Sequence, residues 1–210
     1  SGQKVLKIQN KKFVYLISPP KISNIKFYNS LELVLKSKKV SFFQLRLKNQ
    51  KFSKKISVSK KIMKICRKYK VKFLVNDDPL LALKVNADGC HLGQKDMNII
   101  KAKKILKNKI IGITCHNSIK LVKKALTNNA DYIAVGAFYR SKTKNVKFRA
   151  KPSILGKVKK LTKNPIVAIG GINEKNYRKL LLNNANFLAI SSYIWKNNKY
   201  EPREAIERLK

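Results

Sequence analysis

Residues 110–136 read IIGITCHNSIKLVKKALTNNADYIAVG and contain the unit that recurs along this chain. Two short runs rich in Ile, Val and Tyr, residues 110–114 and 131–136, flank a segment whose apolar residues recur at helical spacing. Short, almost continuously apolar runs are typical of strands buried on both faces of a parallel sheet. The stretch therefore predicts a strand–helix–strand unit.

The same pattern extends over the rest of the chain. The segments between apolar runs carry helical periodicity; in residues 59–70, SKKIMKICRKYK, the side chains of Ile62, Ile65 and Cys66 fall along one stripe. The apolar runs themselves predict eight strands. These strands are expected at residues 13–18, 40–46, 72–76, 88–93, 110–114, 131–136, 165–170 and 187–191.

Eight strand–helix units predict an α/β protein with a single (β/α)8 TIM-barrel domain over residues 1–210. The length lies at the compact end of the ~200 to 400 residues usual for this fold. The last helix is expected near residues 201–210, where Pro202 suits a first turn, and Ser1-Gly2 resembles a remnant of tag cleavage. A doubly wound open sheet is the competing layout, but its GxGxxG phosphate fingerprint is absent after the first strand, which favours the barrel.

The chain is strongly basic, with 49 Lys and Arg against 10 Asp and Glu and a formal net charge of +39. A nucleic-acid-binding protein concentrates its cations on one face or tail, often with aromatic residues between them. Here the lysines are scattered through every predicted helix and loop, so we expect no specific nucleic-acid partner. Abundant Lys, Asn and Ile leave two explanations open: an A/T-rich coding bias, and a charge-driven role in attracting anionic ligands.

Three features bear on the cellular compartment. No apolar run approaches the roughly 18 residues of a membrane span, and the N-terminus does not resemble a signal peptide. Cys66, Cys90 and Cys115 are widely spaced, form no paired metal motif and leave an odd cysteine over. We expect a cytoplasmic protein without a membrane span; the sequence leaves its oligomeric state open.

In a TIM barrel the active site lies at the carboxyl ends of the strands. The residues at these predicted ends are mostly polar or small, as a ligand site requires. They are Gln44, Arg46 and Lys48 after the second strand, Asn76 and Asp77 after the third, residues 91–96 after the fourth, Thr114 and His116 after the fifth, Ser141, Thr143 and Lys144 after the sixth, Gly170 and Gly171 after the seventh, and Ser191 and Ser192 after the eighth.

Four of the ten acidic residues lie within residues 76–96. Asp77 ends one strand and Asp96 follows the next, so both carboxylates are expected on one rim with an amide nearby. Oxygen ligands with free positions for water suit Mg²⁺. The competing interpretation is helix capping, by Asp78 before Pro79 and by Asp96 before a helix near Met97; Asp78 is better explained by capping, whereas Asp96 could do both. Asp88, at the start of its strand, is expected to be structural and to point to the opposite end of the barrel.

The cations predicted at this rim suggest phosphate binding. Arg46 and Lys48 alternate along the second strand and share a face with Gln44. Facing inward they could hold an anionic leaving group; facing outward they would be ordinary surface cations. Two hydroxyls and a terminal lysine in YRSKTK, residues 139–144, could clamp a second anion.

Residues 168–172, AIGGI, end the seventh strand with two glycines. Without side chains, the backbone N–H groups there can approach a phosphate closely. Phosphate sites built from the loops after strands seven and eight recur in TIM barrels. A tight turn without a ligand is the alternative.

Seven segments together carry a family likeness, in the family's order and approximate spacing. The chain resembles thiamine-phosphate synthase in QLRLK (44–48), ND (76–77), ADGCHLGQKD (87–96), GITCH (112–116), DYIAVGAFYRSKTK (131–144), VAIGGI (167–172) and AISS (189–192).

The resemblance implies an enzyme that joins a pyrimidine methyl pyrophosphate to a thiazole phosphate, with or without a carboxylate on the thiazole, and releases pyrophosphate with the help of Mg²⁺. It also implies that Arg46, Lys48 and Lys144 carry the catalysis by neutralising the departing charge. By motif position, the pyrimidine pyrophosphate would contact Gln44, Arg46, Lys48, Asn76, Thr114 and Lys144; Mg²⁺ would be held by Asp77 and Asp96; and the thiazole phosphate would contact Ser141, Lys142, Thr143, Gly171, Ile190 and Ser191.

Five positions depart from the family pattern. Thr114 replaces a usual Ser and Ser141 a usual Thr, so both keep a hydroxyl. Arg140 and Ala137 replace prolines, and Lys95 replaces a frequent Glu beside Asp96, which makes the metal site more positive.

Two rival functions remain. A thiazole tautomerase of the same fold would need no pyrophosphate site and would rely on a histidine such as His116 for proton transfer, whereas His91, in mid-strand, is expected to be a satisfied core residue. A non-enzymatic barrel that binds polyanions through its lysines is the second rival; it would have no use for the clustered carboxylates.

Overall fold

The computed structural model describes residues 11–22, 24–141 and 147–210. Lys142, Thr143 and Lys144, three of the predicted site residues, lie outside the described residues. Eight parallel strands form a closed barrel in which each strand pairs with its neighbours in sequence and β1 pairs with β8. The strands are β1 (Val14–Ile17), β2 (Val40–Leu45), β3 (Lys72–Asn76), β4 (Gly89–Leu92), β5 (Ile110–Thr114), β6 (Tyr132–Gly136), β7 (Ile166–Ile169) and β8 (Phe187–Ile190).

The predicted (β/α)8 barrel is confirmed, because helices follow every strand and cover the outside of the sheet. Ile62 and Cys66 are buried as the periodicity predicts. The last helix is shorter than the sequence indicates. The helices are α1 (Ile25–Lys36), α2 (Phe52–Lys68), α3 (Pro79–Val85), α4 (Ile99–Leu106), α5 (Ile119–Thr127), α6 (Ser153–Lys159), α7 (Tyr177–Leu182), α8 (Ser192–Trp195) and α9 (Pro202–Glu207).

The barrel has two hydrophobic cores, because successive side chains of a strand point to opposite faces of the sheet. Val14 and Leu16 belong to the outer core beneath the helices, whereas Tyr15 and Ile17 belong to the inner core within the barrel. The inner core is a packed interior rather than a pore, as is usual for this fold. Its members are Tyr15, Ile17, Leu74, Tyr132, Ala134, Val167 and Ala189, with Phe42, Ile110, Ile169 and Phe187 packed against them.

The amino-terminal ends of the strands are fastened by a repeated side-chain hydrogen bond. The Asp88 carboxylate, just before β4, accepts from the Phe73 N–H of β3 at 2.8 Å. Asp131 before β6 accepts from Ile111 N–H, and the Asn186 side chain before β8 accepts from Ile166 N–H, each at 2.8 Å. The structural role predicted for Asp88 is confirmed, and it lies at the end of the barrel away from the predicted site.

No helix within residues 11–22, 24–141 and 147–210 is long and apolar enough to cross a membrane. The three cysteines are buried free thiols. Burial raises the pKa of both the Cys90 and Cys115 thiols to about 12, so neither is poised as a nucleophile.

Candidate active site

A cavity of about 610 Å³ opens at the carboxyl ends of the strands. Its volume is in the range of small-molecule sites. It brings together residues from β2, β5, β7 and β8 that are far apart in sequence. Seven of the predicted site residues line it: Arg46, Lys48, Thr114, Ser141, Gly171, Ile190 and Ser191.

One side of the cavity is cationic. Arg46 and Lys48, just beyond the end of β2, both line it, which is the inward orientation considered for them. The backbone N–H of Arg46 donates to the Ser18 hydroxyl at 2.8 Å. This bond fastens the end of β2 to the end of β1 and fixes where the arginine side chain leaves the sheet.

Another side of the cavity is formed by the ends of β7 and β8. Gly170 and Gly171 have φ of 111° and 60°, in a backbone region that residues other than glycine rarely adopt. A Cβ on Gly171 would lie 2.5 Å from the carbonyl oxygen of Arg140. The fold therefore requires these glycines for the turn itself, and the same turn lines the cavity. Ser191, at the end of β8, completes this side, and its hydroxyl donates to the Ser18 carbonyl at 3.3 Å.

Gln44 lies below the cavity, inside the barrel, and is only 3% exposed. Its amide N–H donates to the Tyr15 hydroxyl at 2.8 Å, and that hydroxyl lies 2.6 Å from the Tyr132 hydroxyl. His91 continues this set: its Nδ1 is 2.7 Å from Tyr132 Oη, and its Nε2 is 2.7 Å from Thr114 Oγ1. His91 is thus a satisfied buried histidine, as expected. Burial, with a smaller contribution from the charge of Arg46, lowers the pKa of His91 to about 4, so the ring is neutral near neutral pH.

The two carboxylates predicted to hold a metal lie at the ends of β3 and β4. Asp77 has a left-handed backbone with φ of 57°, and the Asn76 amide N–H reaches its carboxylate at 3.4 Å. Burial and then the negative charge of Asp96 raise the pKa of Asp77. Neither carboxylate is within ion-pair distance of a basic side chain among the described residues, although the chain is rich in lysine.

Of the two helix caps predicted at this rim, the structure contains one. Asp78 caps α3, accepting from Leu81 N–H at 3.0 Å, as predicted. The interpretation of Asp96 as a cap is wrong: α4 begins at Ile99 and is capped by Asn98, which accepts from Ile100 N–H at 2.8 Å. Asp96 instead accepts from the Gly93 N–H at 2.6 Å, which closes the loop after β4.

The donor chemistry at this rim fits Mg²⁺. Within the described residues no group of three or more His, Cys, Asp and Glu side chains could hold a metal, so an all-protein cage is not formed there. Mg²⁺ commonly takes one or two carboxylates and completes its shell with water and substrate phosphate. Two mutually repelling carboxylates that form no ion pair within the part of the chain that the structure describes match that requirement.

Comparison with known proteins decides the family. Residues 14–194 match the family model of thiamine monophosphate synthase. The chain belongs to the thiamine monophosphate synthase family. It is an enzyme, a transferase, like the thiamine-phosphate synthases to which it is similar.

Individual relatives agree over nearly the full chain. The chain is 69% identical to a thiamine-phosphate synthase of Pelagibacter ubique over 201 residues, 96% of this chain and 97% of that protein. It is 36% identical to a thiamine-phosphate synthase of Saccharophagus degradans over 197 residues, 92% of this chain and 90% of that protein. The solved structure of a thiamine phosphate pyrophosphorylase from Pyrococcus furiosus superposes with a TM-score of 0.82 at 30% identity, covering 95% of this chain and 94% of that chain.

Sequence reasoning assigned no ligand to several of the residues that line the cavity. His116, whose place in the site was left open, lines the cavity and stacks on Phe148 with ring centroids 4.1 Å apart. Burial lowers the pKa of His116. Trp195 and Lys196, at the end of α8, also line it. The apolar run of β8 indicated where the strand ends, but no sequence signal showed that a short helix, α8, would bring these two residues to the cavity.

Proposed function

We propose that the chain joins a pyrimidine methyl pyrophosphate to a thiazole phosphate and releases thiamine phosphate and pyrophosphate. The observation that supports this proposal is one cavity lined by two kinds of anion-binding group. Arg46 and Lys48 line it as side-chain cations, and Gly171 and Ser191, from the ends of β7 and β8, line it as well, where backbone N–H groups could meet a phosphate. Two small anionic substrates that must react with each other need such a shared cavity.

Charge on the leaving group is the main chemical demand. When the bond between the methylene carbon and pyrophosphate breaks, its electron pair leaves with the pyrophosphate oxygen. Arg46 and Lys48 are positioned to neutralise that developing charge, with Lys144 added by motif position, and fixed cations in a shielded site do this more effectively than water. The thiazole nitrogen then forms the new carbon–nitrogen bond with its own lone pair.

That bond-forming step needs no strong general base, because the thiazole nitrogen carries no proton to remove. The condition of His91 agrees with this: it is neutral, and both ring nitrogens already have protein partners. What the site must supply is exclusion of water from a reactive pyrimidine cation. The packed floor of Tyr15, Tyr132 and Ala134 beneath the cavity serves that need.

Asp77 and Asp96 would hold Mg²⁺, which when bound would neutralise part of the pyrophosphate charge. The Asn76 amide, beside the Asp77 carboxylate, would orient that carboxylate. Burial first, and then the negative charge of Asp96, raise the pKa of Asp77, while Lys55 and Arg46 oppose this shift in part.

One assay tests the proposal. The purified chain is incubated with both substrates and Mg²⁺, and thiamine phosphate and pyrophosphate are quantified. Equal amounts of the two products are expected, with neither forming when the thiazole phosphate is omitted or the metal is chelated. Absence of thiamine phosphate under these conditions would refute the proposed reaction.

A thiazole tautomerase is the second candidate, and the position of His116 favours it. His116 lines the cavity and its lowered pKa leaves a neutral imidazole able to accept a proton. This activity would leave Arg46, Lys48 and the two carboxylates without a task. Isomerisation of the thiazole phosphate alone, without pyrimidine substrate or Mg²⁺, would identify it.

A further inference from the structure

A chain of side-chain hydrogen bonds runs from the barrel interior to the cavity. It begins at Gln44 and passes through Tyr15, Tyr132 and His91 to Thr114, with successive distances of 2.8, 2.6, 2.7 and 2.7 Å. The first four members are each 8% exposed or less. Only Thr114 reaches the cavity lining. We call this set of five residues the relay.

Counting protons fixes the direction of these hydrogen bonds. The Gln44 amide N–H can only donate, so it uses the Tyr15 oxygen as an acceptor. The only acceptor bonded to the Tyr15 proton in the described residues is then the Tyr132 oxygen. If the bond ran the other way, a buried phenol proton would be left without a partner, at a cost of about 1–3 kcal/mol.

The same logic continues toward the cavity. With its oxygen accepting from Tyr15, Tyr132 donates to Nδ1 of His91. A neutral imidazole carries one proton, which must then be on Nε2 and is donated to the Thr114 oxygen. Among the described residues no other group accepts from the Thr114 hydroxyl, and Thr114 lines the cavity, which leaves its proton available to a ligand there.

We propose that Gln44, Tyr15, Tyr132 and His91 are positioning residues that hold the Thr114 hydroxyl as a hydrogen-bond donor into the cavity. The identity of the acceptor rests on the proposed function: it is an oxygen of the departing pyrophosphate. Tyr15, Tyr132 and His91 act through Thr114 and need not touch that anion. A hydroxyl free to rotate would have to reorient as charge develops, whereas an oriented one stabilises the charge without that cost.

Thr114 itself suits this arrangement. As a β-branched residue it has fewer side-chain rotamers than the serine usual in the family. His91 restrains the oxygen as an acceptor, and the β-methyl restrains the side chain, which together favour donation of the hydroxyl proton toward the cavity. Bonds in such a chain also polarise one another, which strengthens the terminal donor.

The histidine tautomer gives a direct test that does not depend on turnover. In ¹⁵N-histidine-labelled protein near neutral pH, long-range proton–nitrogen spectra distinguish Nε2–H from Nδ1–H. The chain has two histidines, so a His116→Gln sample assigns the signals. We expect His91 as the Nε2–H tautomer with a hydrogen-bonded Nδ1. An Nδ1–H tautomer would mean the opposite direction and would overturn the relay.

Kinetics of paired variants test whether the relay acts through Thr114. Thr114→Val removes the hydroxyl and should lower kcat by about 100-fold, and Tyr132→Phe or Tyr15→Phe by about 10-fold, as expected for a hydrogen bond to a charged group lost or weakened. In the Thr114→Val background, adding Tyr132→Phe should cause almost no further loss. Fully additive losses would show that the tyrosines matter only for packing and would overturn the proposal.

Two controls complete the design. Tyr177→Phe removes another buried phenol, which donates to the Lys210 carbonyl outside the barrel, and it should leave kcat unchanged. Thermal unfolding checks that each variant is folded. If Tyr132→Phe is not folded, Tyr15→Phe takes its place. Inorganic pyrophosphate binding with Mg²⁺ is measured for the same set, and it should weaken about 10-fold in Tyr132→Phe. If the variants bind pyrophosphate more weakly than the wild type but the wild type forms no thiamine phosphate, the proposed function fails and the relay stands. Unchanged pyrophosphate binding in Tyr132→Phe and Thr114→Val would overturn the relay.

Discussion

The backbone N–H of Asp77 donates to the carbonyl oxygen of His91 at 2.7 Å. This bond continues the pairing of β3 with β4 by one residue and accompanies the left-handed backbone of Asp77. The backbone position of Asp77, which is proposed to bind the metal, is therefore fixed by its hydrogen bond to His91, a member of the relay. A change at Asp77 must preserve this backbone if it is to report on the carboxylate alone.

Asp77→Asn meets that condition, because asparagine tolerates the left-handed region better than most residues. We expect the variant to fold normally and to lose at least about 100-fold in Mg²⁺-dependent turnover, since one of two carboxylates for the metal is gone. Asp96→Asn should lose most turnover as well. Product formation is measured over a Mg²⁺ titration.

The matched control is Asp78→Asn, one residue along. Asp78 caps α3, and asparagine caps helices as well as aspartate does, so turnover and its Mg²⁺ dependence should stay at the wild-type level. Full activity in Asp77→Asn or Asp96→Asn would remove the metal assignment.

Arg46→Gln should lower kcat/KM for the pyrimidine pyrophosphate by about 10- to 100-fold, because a charge-assisted contact to the anion is lost. The KM for the thiazole phosphate should change much less. Lys64→Gln, an exposed position on α2, removes the same charge away from the cavity. Equal losses in the two variants would mean that the overall positive field, rather than Arg46, accounts for the effect.

The strand bounds could be predicted closely because each buried parallel strand is a nearly continuous apolar run ended by polar residues. Each strand begins and ends within one residue of its predicted position. The start of α4 was less predictable. Asp96 and Asn98 are both good capping residues, two positions apart. In the folded loop the Asp96 carboxylate accepts from the Gly93 N–H, which leaves Asn98 as the cap, and this contact is not visible in the sequence.

The relay could not be predicted from the sequence for a related reason. Tyr15 and Tyr132 are 117 residues apart, and each lies in a strand that is apolar on both faces, so periodicity does not say which residues face the barrel interior. Only closure of the barrel sets that choice. By contrast, Arg46 and Ser191 directly follow strand ends and Gly171 comes two residues after one, and strand ends converge in this fold whatever their side chains.

Gly171→Ala should destabilise the protein by about 1–3 kcal/mol, since alanine is strained at positive φ and its Cβ would meet the Arg140 carbonyl at 2.5 Å. The KM for the thiazole phosphate should rise, because the turn that lines the cavity shifts. Chemical denaturation and steady-state kinetics measure the two effects. Gly156→Ala is the control: it lies in α6 with open space around its Cβ, and it should stabilise by about 0.5–1 kcal/mol with unchanged kinetics. A rise in stability in Gly171→Ala would contradict the turn described here.

Stability should fall as the pH is lowered from about 6.5 to about 4, owing to His91. The unfolded chain binds a proton on this residue below its ordinary pKa of 6.5, whereas burial lowers the native pKa to about 4. Between these values the unfolded state holds more protons, so falling pH favours unfolding; above about 6.5 neither state is protonated and the contribution is complete. At about 1.4 kcal/mol per pH unit, the loss is on the order of 3 kcal/mol.

The free energy of unfolding of the metal-free protein, measured by denaturant titration across this pH range, tests the effect of His91. His91→Gln removes the titrating group and should flatten most of the slope, even if it lowers stability at every pH. His116→Gln should flatten it less, because His116 is less buried and its pKa is lowered to a smaller extent. A slope that persists undiminished in His91→Gln would assign the acid sensitivity to other groups and would contradict the neutral, fully bonded His91 on which the floor of the cavity depends.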